Sequence, residues 1–102
     1  MAKGVLWSER AKEDLQEIVE YISQDSRRYA ARVLRKILAS TRNLARFPHL
    51  GRVVPELRDT SVRELIVYNY RIIYRIHQVH VMVGAVVHGA RRLPNALRGR
   101  EI

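Results

Sequence analysis

Tyr70-Arg71-Ile72-Ile73-Tyr74-Arg75-Ile76 is the stretch that decides the architecture of this 102-residue chain. Its residues are aromatic, β-branched or arginine, the composition of a pleated, half-buried strand. A period of two places Tyr70, Ile72, Tyr74 and Ile76 on one side and Arg71, Ile73 and Arg75 on the other. Val62 to Val67 before it and Val79 to Val87 after it have the same character. The links Tyr68-Asn69 and His77-Gln78 are short enough for hairpin turns, although neither has Asn-Gly chemistry. A three-stranded antiparallel meander is predicted, with the nearly all-apolar last strand placed centrally.

Working back from the meander, the periodicity changes from two to 3.6. Ala11, Leu15, Ile18 and Ile22 recur at helical spacing, with Ser8 as N-cap, Glu9 in the first turn and Glu13, Glu17 and Glu20 on the opposite face. Gln24-Asp25-Ser26 reads as a turn that caps a second helix. That helix carries the apolar stripe Ala30, Val33, Leu34, Ile37, Leu38, Thr41 and Leu44, with Arg28, Arg32, Arg35, Arg42 and Arg46 mainly off it. Pro48 ends it, because the residue before proline is pushed out of the helical region. Val5-Leu6-Trp7 is a first strand, expected at a sheet edge. The predicted fold is α+β: an N-terminal strand and an antiparallel two-helix hairpin packed on a small antiparallel sheet. Residues 1–102 form one domain, ending in a basic tail from about residue 89, part loop and part a single helical turn.

Charge narrows the class of partner. Nineteen basic residues face ten acidic ones, and sixteen of the basics are arginine. Residues 1–25 carry a net −3, whereas residues 26–102 hold sixteen basic residues against four acids, a net +12. Such a field attracts polyanions or an acidic protein, and arginine favours bidentate, partly desolvated contacts. The chain has no cysteine, which excludes disulfides, thiolate metal sites and a cysteine nucleophile and fits a reducing compartment. The charges at Glu9 and Arg10 leave no room for a signal peptide, and no apolar run is long enough to span a bilayer. A soluble, cytoplasmic protein without membrane contact is the expectation.

If the helix hairpin covers the Tyr70–Ile76 side of the middle strand, Arg71 and Arg75 are left on the other side, either as a partner surface or as a solvated outer face. Sites of conventional chemistry find little support. His77 and His80 straddle a turn without an acidic neighbour, so no metal is expected. His49 is isolated. His88, near Arg91 and Arg92 at the end of the last strand, is the one candidate for proton transfer, although such a histidine more often just closes a strand. Glu56, Asp59 and Glu64 read as scattered carboxylates. No phosphate-cradling loop or nucleophile elbow is present, and no cofactor is expected.

The ordered set Trp7-Ser8-x-x-Ala11-x-x-Asp14-Leu15-x-x-Ile18-x-x-Tyr21-Ile22, Leu44-x-x-Phe47-Pro48-x-x-Gly51-Arg52, Glu56-Leu57, Arg63-Glu64-Leu65, Tyr70-Arg71-Ile72-x-Tyr74 and His88-Gly89-Ala90-Arg91 resembles the RelE/ParE toxin superfamily of type II toxin–antitoxin systems. The resemblance implies a helix hairpin on a small antiparallel sheet. It also implies one of two activities. RelE-like members cut messenger RNA on the ribosome without metal, using basic residues and often a tyrosine; ParE-like members poison DNA gyrase by stabilising its cleaved DNA complex. Arg71 and Arg91 match arginines of the ribonucleases, which with His88 would form a ribonuclease site. Val62 and Glu64, however, stand where ribonuclease members carry paired lysines, and no tyrosine follows Arg91. The ParE branch is therefore the closer match, with a non-toxic nucleic-acid-binding module as a further alternative. On the ParE reading the target surface is expected on Arg71, Arg75, Arg91, Arg92, Arg98 and Arg100. A ParD-like antitoxin, with an acidic C-terminal segment, is expected to contact Leu34, Leu38, Arg42, Arg71 and Arg75, and operator DNA is expected to be met only through that antitoxin.

Overall fold

The computed structural model describes residues 3–100 and Ile102; Met1, Ala2 and Glu101 lie outside the described residues. Strand β1 (Gly4–Trp7) leads into helices α1 (Glu9–Ser23) and α2 (Arg27–Arg42), and a 3-10 turn follows at Asn43–Ala45. Strands β2 (Arg52–Val53), β3 (Val62–Val67), β4 (Tyr70–Ile76) and β5 (His80–His88) complete the sheet, and a one-turn helix α3 (Leu93–Ala96) closes the chain's path. The helices begin where their caps dictate: Ser8 Oγ accepts the Ala11 N–H and Ser26 Oγ accepts that of Tyr29. Helix α2 stops at Arg42, and the apolar stripe passes to Leu44 through the 3-10 turn.

The sheet has the order β1-β5-β4-β3-β2. The meander β3-β4-β5 is antiparallel as predicted, but β1 pairs in parallel with β5, Gly4 beside His80 and Trp7 beside Val83, so the sheet is mixed rather than antiparallel. The helix hairpin carries the chain from β1 across one sheet face, which is what permits a parallel return. β4 is the central strand, with β5 inside the sheet between it and β1. The two-residue β2 was not anticipated from sequence; two residues are too few for a periodic signal.

Two cores sandwich the sheet. Against the helices lie Ala11, Leu15, Ile22, Ala30, Val33, Ile37 and Leu44 with Ile72, Tyr74, Val81, Val83 and Val86. On the other side Val54, Val62, Ile73, Ala85 and Val87 are covered by Leu93 and Ala96 of α3, with Leu97 and Ile102 beside them. β5 serves both cores through a bulge: Ile73 pairs with Ala85 and Tyr74 with Val83, leaving Gly84 as the extra residue. The bulge reverses the parity of the strand, so Val81 and Val83 face the helices before it and Val86 after it. Because both faces of the sheet are covered, β5 is apolar from Val81 to Val87. Ile102 occupies the space where a side chain on Gly84 would project.

Candidate functional site

The expectation of free guanidinium groups on the far side of the sheet is overturned. Arg71 is only 11% exposed and is neutralised by its own neighbours. Its Nε donates to Glu64 Oε1 at 2.5 Å, and Nη1 and Nη2 grip Glu56 at 2.8 and 2.9 Å. Glu64 is fully buried and also accepts Arg52 Nε at 2.6 Å. Glu56 and Glu64 are thus brought together around one arginine, whereas in sequence they read as scattered. Register explains it: Glu64 lies opposite Arg52 on β2 and beside Ile73 on β4, and Ile66 opposite Arg71. The Arg71 hydrogen bond holds the Glu56 carboxyl at about 2, well below the ordinary 4.5, and the same pairing raises Arg71 further.

Arg75 and Arg100 are corrected in the same way. Arg75 Nη1 donates to Ser61 Oγ at 2.8 Å and Asp59 Oδ2 at 3.2 Å, and Nη2 donates to the Ile102 main-chain oxygen. Arg100, 7% exposed, makes a bidentate pair with Asp14 at 2.6 and 2.7 Å. Asp14 also accepts the Val86 N–H at 3.0 Å, and Arg100 donates to the Gly84 carbonyl at 3.2 Å. The Asp14–Arg100 pair therefore satisfies the backbone groups around the bulge and ties α1, β5 and the tail together. α3 and the tail after it cover the far face that sequence reading left open. Of the tail arginines named from sequence, Arg91, Arg92 and Arg98 remain exposed.

Two concavities border this region. One, of about 440 Å³, is lined by Arg52, Ile66, Tyr68, Tyr70, Arg71 and His88 among others. The second, of about 650 Å³, runs between α1 and β5, with Asp14, Glu17, Tyr21, Tyr70, His88 and Arg91 on its walls. Tyr70 and His88 belong to both and meet edge to face at 5.6 Å. Burial raises the Tyr70 phenol above its ordinary value. His88 Nδ1 accepts the Ala90 N–H at 3.1 Å, which leaves the proton of the neutral ring on Nε2. His88 and Arg91 are brought together, while Arg71 is held by its carboxylates on the other flank. Among the described residues no three histidine, aspartate or glutamate side chains converge as metal ligands would, and no helix is long and apolar enough to cross a membrane.

A larger and more apolar concavity than these two lies elsewhere. A groove of about 750 Å³ opens beside the edge strand, lined by Val5, Leu6, Trp7, Leu15, Val19, Leu34, Leu38 and Met82, with Lys12, Gln16 and Glu20 at its margin. Leu6 is 50% and Leu38 37% exposed, so the groove is unfilled apolar surface. Leu34 and Leu38, singled out from sequence, are part of it. Arg71 and Arg75 are not: they lie on the opposite side of the sheet, so the five residues expected to contact the antitoxin are divided between two faces. Val5, Leu6, Trp7 and Met82 were missed because each contributes to the groove only through strand pairing of β1 with β5.

A helix hairpin on a five-stranded mixed sheet, in a chain with nineteen basic residues against ten acidic ones, defines a small basic α+β module. The model of the ParE toxin of the type II toxin–antitoxin system parDE matches residues 5–93, and the chain belongs to that family. A curated Sinorhizobium fredii relative, "Putative toxin Y4kP", is 36% identical over 97 residues, covering 93% of this chain and 97% of that protein. The solved structure "Chromosomal ParDE TA system from P. aeruginosa" superposes with a TM-score of 0.70, over 85% of this chain and 96% of the matched chain, at 17% identity, a likeness of fold. This chain is a ParE-type toxin of a type II toxin–antitoxin system.

Proposed function

We propose that this ParE-type toxin acts by binding rather than by cleaving RNA: it engages DNA gyrase and stabilises the enzyme's cleaved DNA complex. The observation that carries this reading is the state of Arg71. In a metal-free ribonuclease that guanidinium would have to meet a phosphate in the transition state. Here three of its five donors are committed to Glu56 and Glu64, and the two carboxylates cancel the charge of Arg71 and Arg52. His88 shares a concavity with Arg71, but its Nδ1 is occupied by the backbone and no carboxylate lines that concavity beside it. The surfaces left for gyrase include Arg91, Arg92 and Arg98, which stand exposed at the tail.

A cognate ParD-like antitoxin then neutralises the toxin through the groove. An amphipathic helical segment can lay apolar side chains against Leu6, Leu34 and Leu38, and turn an acidic residue toward Lys12 at the groove's margin. The decisive experiment incubates the purified chain with gyrase and supercoiled plasmid. Linear plasmid accumulating only when the toxin is present is the expected result. Cuts at codon positions in translated message, with gyrase supercoiling untouched, would overturn the proposal.

A further inference from the structure

Internal ion pairing moves the protein's uncompensated charge to a place the sheet-centred reading did not single out. Helix α2 holds six basic residues and no acidic one in its 16 residues. At about 100° per residue, Arg28, Arg32, Arg35 and Arg42 fall within an arc of about 80°, with Ala39 between them. The buried residues Ala30, Val33, Ile37 and Thr41 lie diametrically opposite, so the stripe points straight away from the core. All four arginines and Ala39 are exposed. Among the described residues none of the four forms a salt bridge, whereas Arg52, Arg71, Arg75 and Arg100 all do. Arg42 donates Nε to the Leu38 carbonyl at 3.4 Å, which lays its stem along the helix and leaves the terminal nitrogens outward.

We infer that this stripe is a docking surface of the chain's own for the phosphate backbone of duplex DNA, engaged without reading sequence. The four guanidinium groups spread over about 21 Å of helix axis, roughly six base steps of one strand. The stripe offers no asparagine or glutamine to read a base edge and no aromatic ring on which an unpaired base could stack. An acidic protein is the poorer fit, because a protein contact draws its energy from a buried apolar anchor at its centre. The stripe's centre is Ala39, and the half-buried Leu34 and exposed Leu38 lie a quarter turn or more to one side. The inference goes beyond the gyrase reading and does not depend on it, since it concerns nucleic acid alone.

The test uses the full chain and a fluorescently labelled 20-base-pair duplex of arbitrary sequence, with anisotropy followed from 50 to 200 mM salt. Four phosphate contacts give a slope of log K against log salt of about −3.6. Each of R28Q, R32Q, R35Q and R42Q should flatten that slope by about one, and the quadruple variant should lose most of the affinity. R91Q/R92Q/R98Q should retain the wild-type slope. Arginine and glutamine have similar helix propensities, and circular dichroism checks that each variant is folded; the single variants suffice if the quadruple one is not. A slope unchanged by the α2 substitutions, or lost equally in the tail variant, overturns the inference. So does a wild-type chain that binds poly-glutamate through α2 but not the duplex.

Discussion

The Gly51 N–H donates to the Tyr74 hydroxyl at 2.9 Å, and the same hydroxyl donates to the Pro48 carbonyl at 2.8 Å. A Cβ on Gly51 would stand 2.7 Å from that oxygen and 2.5 Å from the Glu64 carbonyl. Proline and glycine of the Pro-x-x-Gly turn are therefore pinned to the central strand by one buried phenol. Tyr74→Phe strands the Gly51 N–H and should cost about 1–2 kcal/mol. Gly51→Ala, whose methyl meets backbone that cannot swing aside, should cost about 2–3 kcal/mol. Urea unfolding of both variants measures the two values, and equal stability of Gly51→Ala and the wild type would refute the close approach.

Glu64 holds two arginines while fully buried, so its loss leaves Arg71 without its innermost partner. Glu64→Gln should destabilise by about 3 kcal/mol, and pairing Glu64→Leu with Arg71→Met should recover much of the loss, because a buried ion pair adds little over a packed apolar pair. Thermal unfolding of the single and double variants decides it. A double variant no more stable than the single one would contradict the mechanism.

Acid should loosen the same network through Glu56. Its folded pKa of about 2 lies below the ordinary 4.5, so the stabilisation is complete above about pH 4.5 and is lost as pH falls toward 2. Because the Glu56 side chain is 38% exposed, solvent screening reduces the effect to on the order of 1 kcal/mol. Glu56→Gln should flatten this part of the stability–pH curve, and an unchanged acid limb in that variant would remove Glu56 from the account.

Asp14 and Arg100 predict how the tail is held. Asp14→Ala leaves the Val86 N–H and a nearly buried guanidinium without their partner, at a cost of about 2–3 kcal/mol. Hydrogen exchange at Val86 and in residues 93–100 should quicken together, since one carboxylate serves both. Faster exchange at Val86 alone would show the tail to be anchored independently, by Leu93 and Ala96.

The groove makes a separable prediction. Leu38→Glu lies on exposed surface, so stability should change by less than about 0.5 kcal/mol. Affinity for the cognate antitoxin should fall at least about tenfold, because an apolar anchor is replaced by a charge that repels an acidic segment. Calorimetric titration with the antitoxin measures it; undiminished affinity would place the antitoxin elsewhere.

Legibility in sequence followed the range of the signal. The caps Ser8 and Ser26, both amphipathic helices and the three-stranded meander depend on spacings of two to four residues, and all are found where the residues put them. The toxin family was readable too, since its motifs follow one another along most of the chain. The parallel partnership of β1, the two-residue β2 and the parity change at Gly84 arise from pairings between distant segments, which no local period records. The apolar length of β5 was visible, but not that a bulge divides it between two cores.

What the residues alone determined is the inventory: two helices, a β-meander and an excess of arginine, because each follows from side-chain shape, spacing and charge count. Only the folded chain decided which of those arginines are available. Arg71 finds Glu64 seven residues away and Glu56 fifteen, and Arg100 finds Asp14 across 86. Electrostatic energy depends on separation in space, so charges that look free along the chain cancel inside it, and those of α2 stay unopposed.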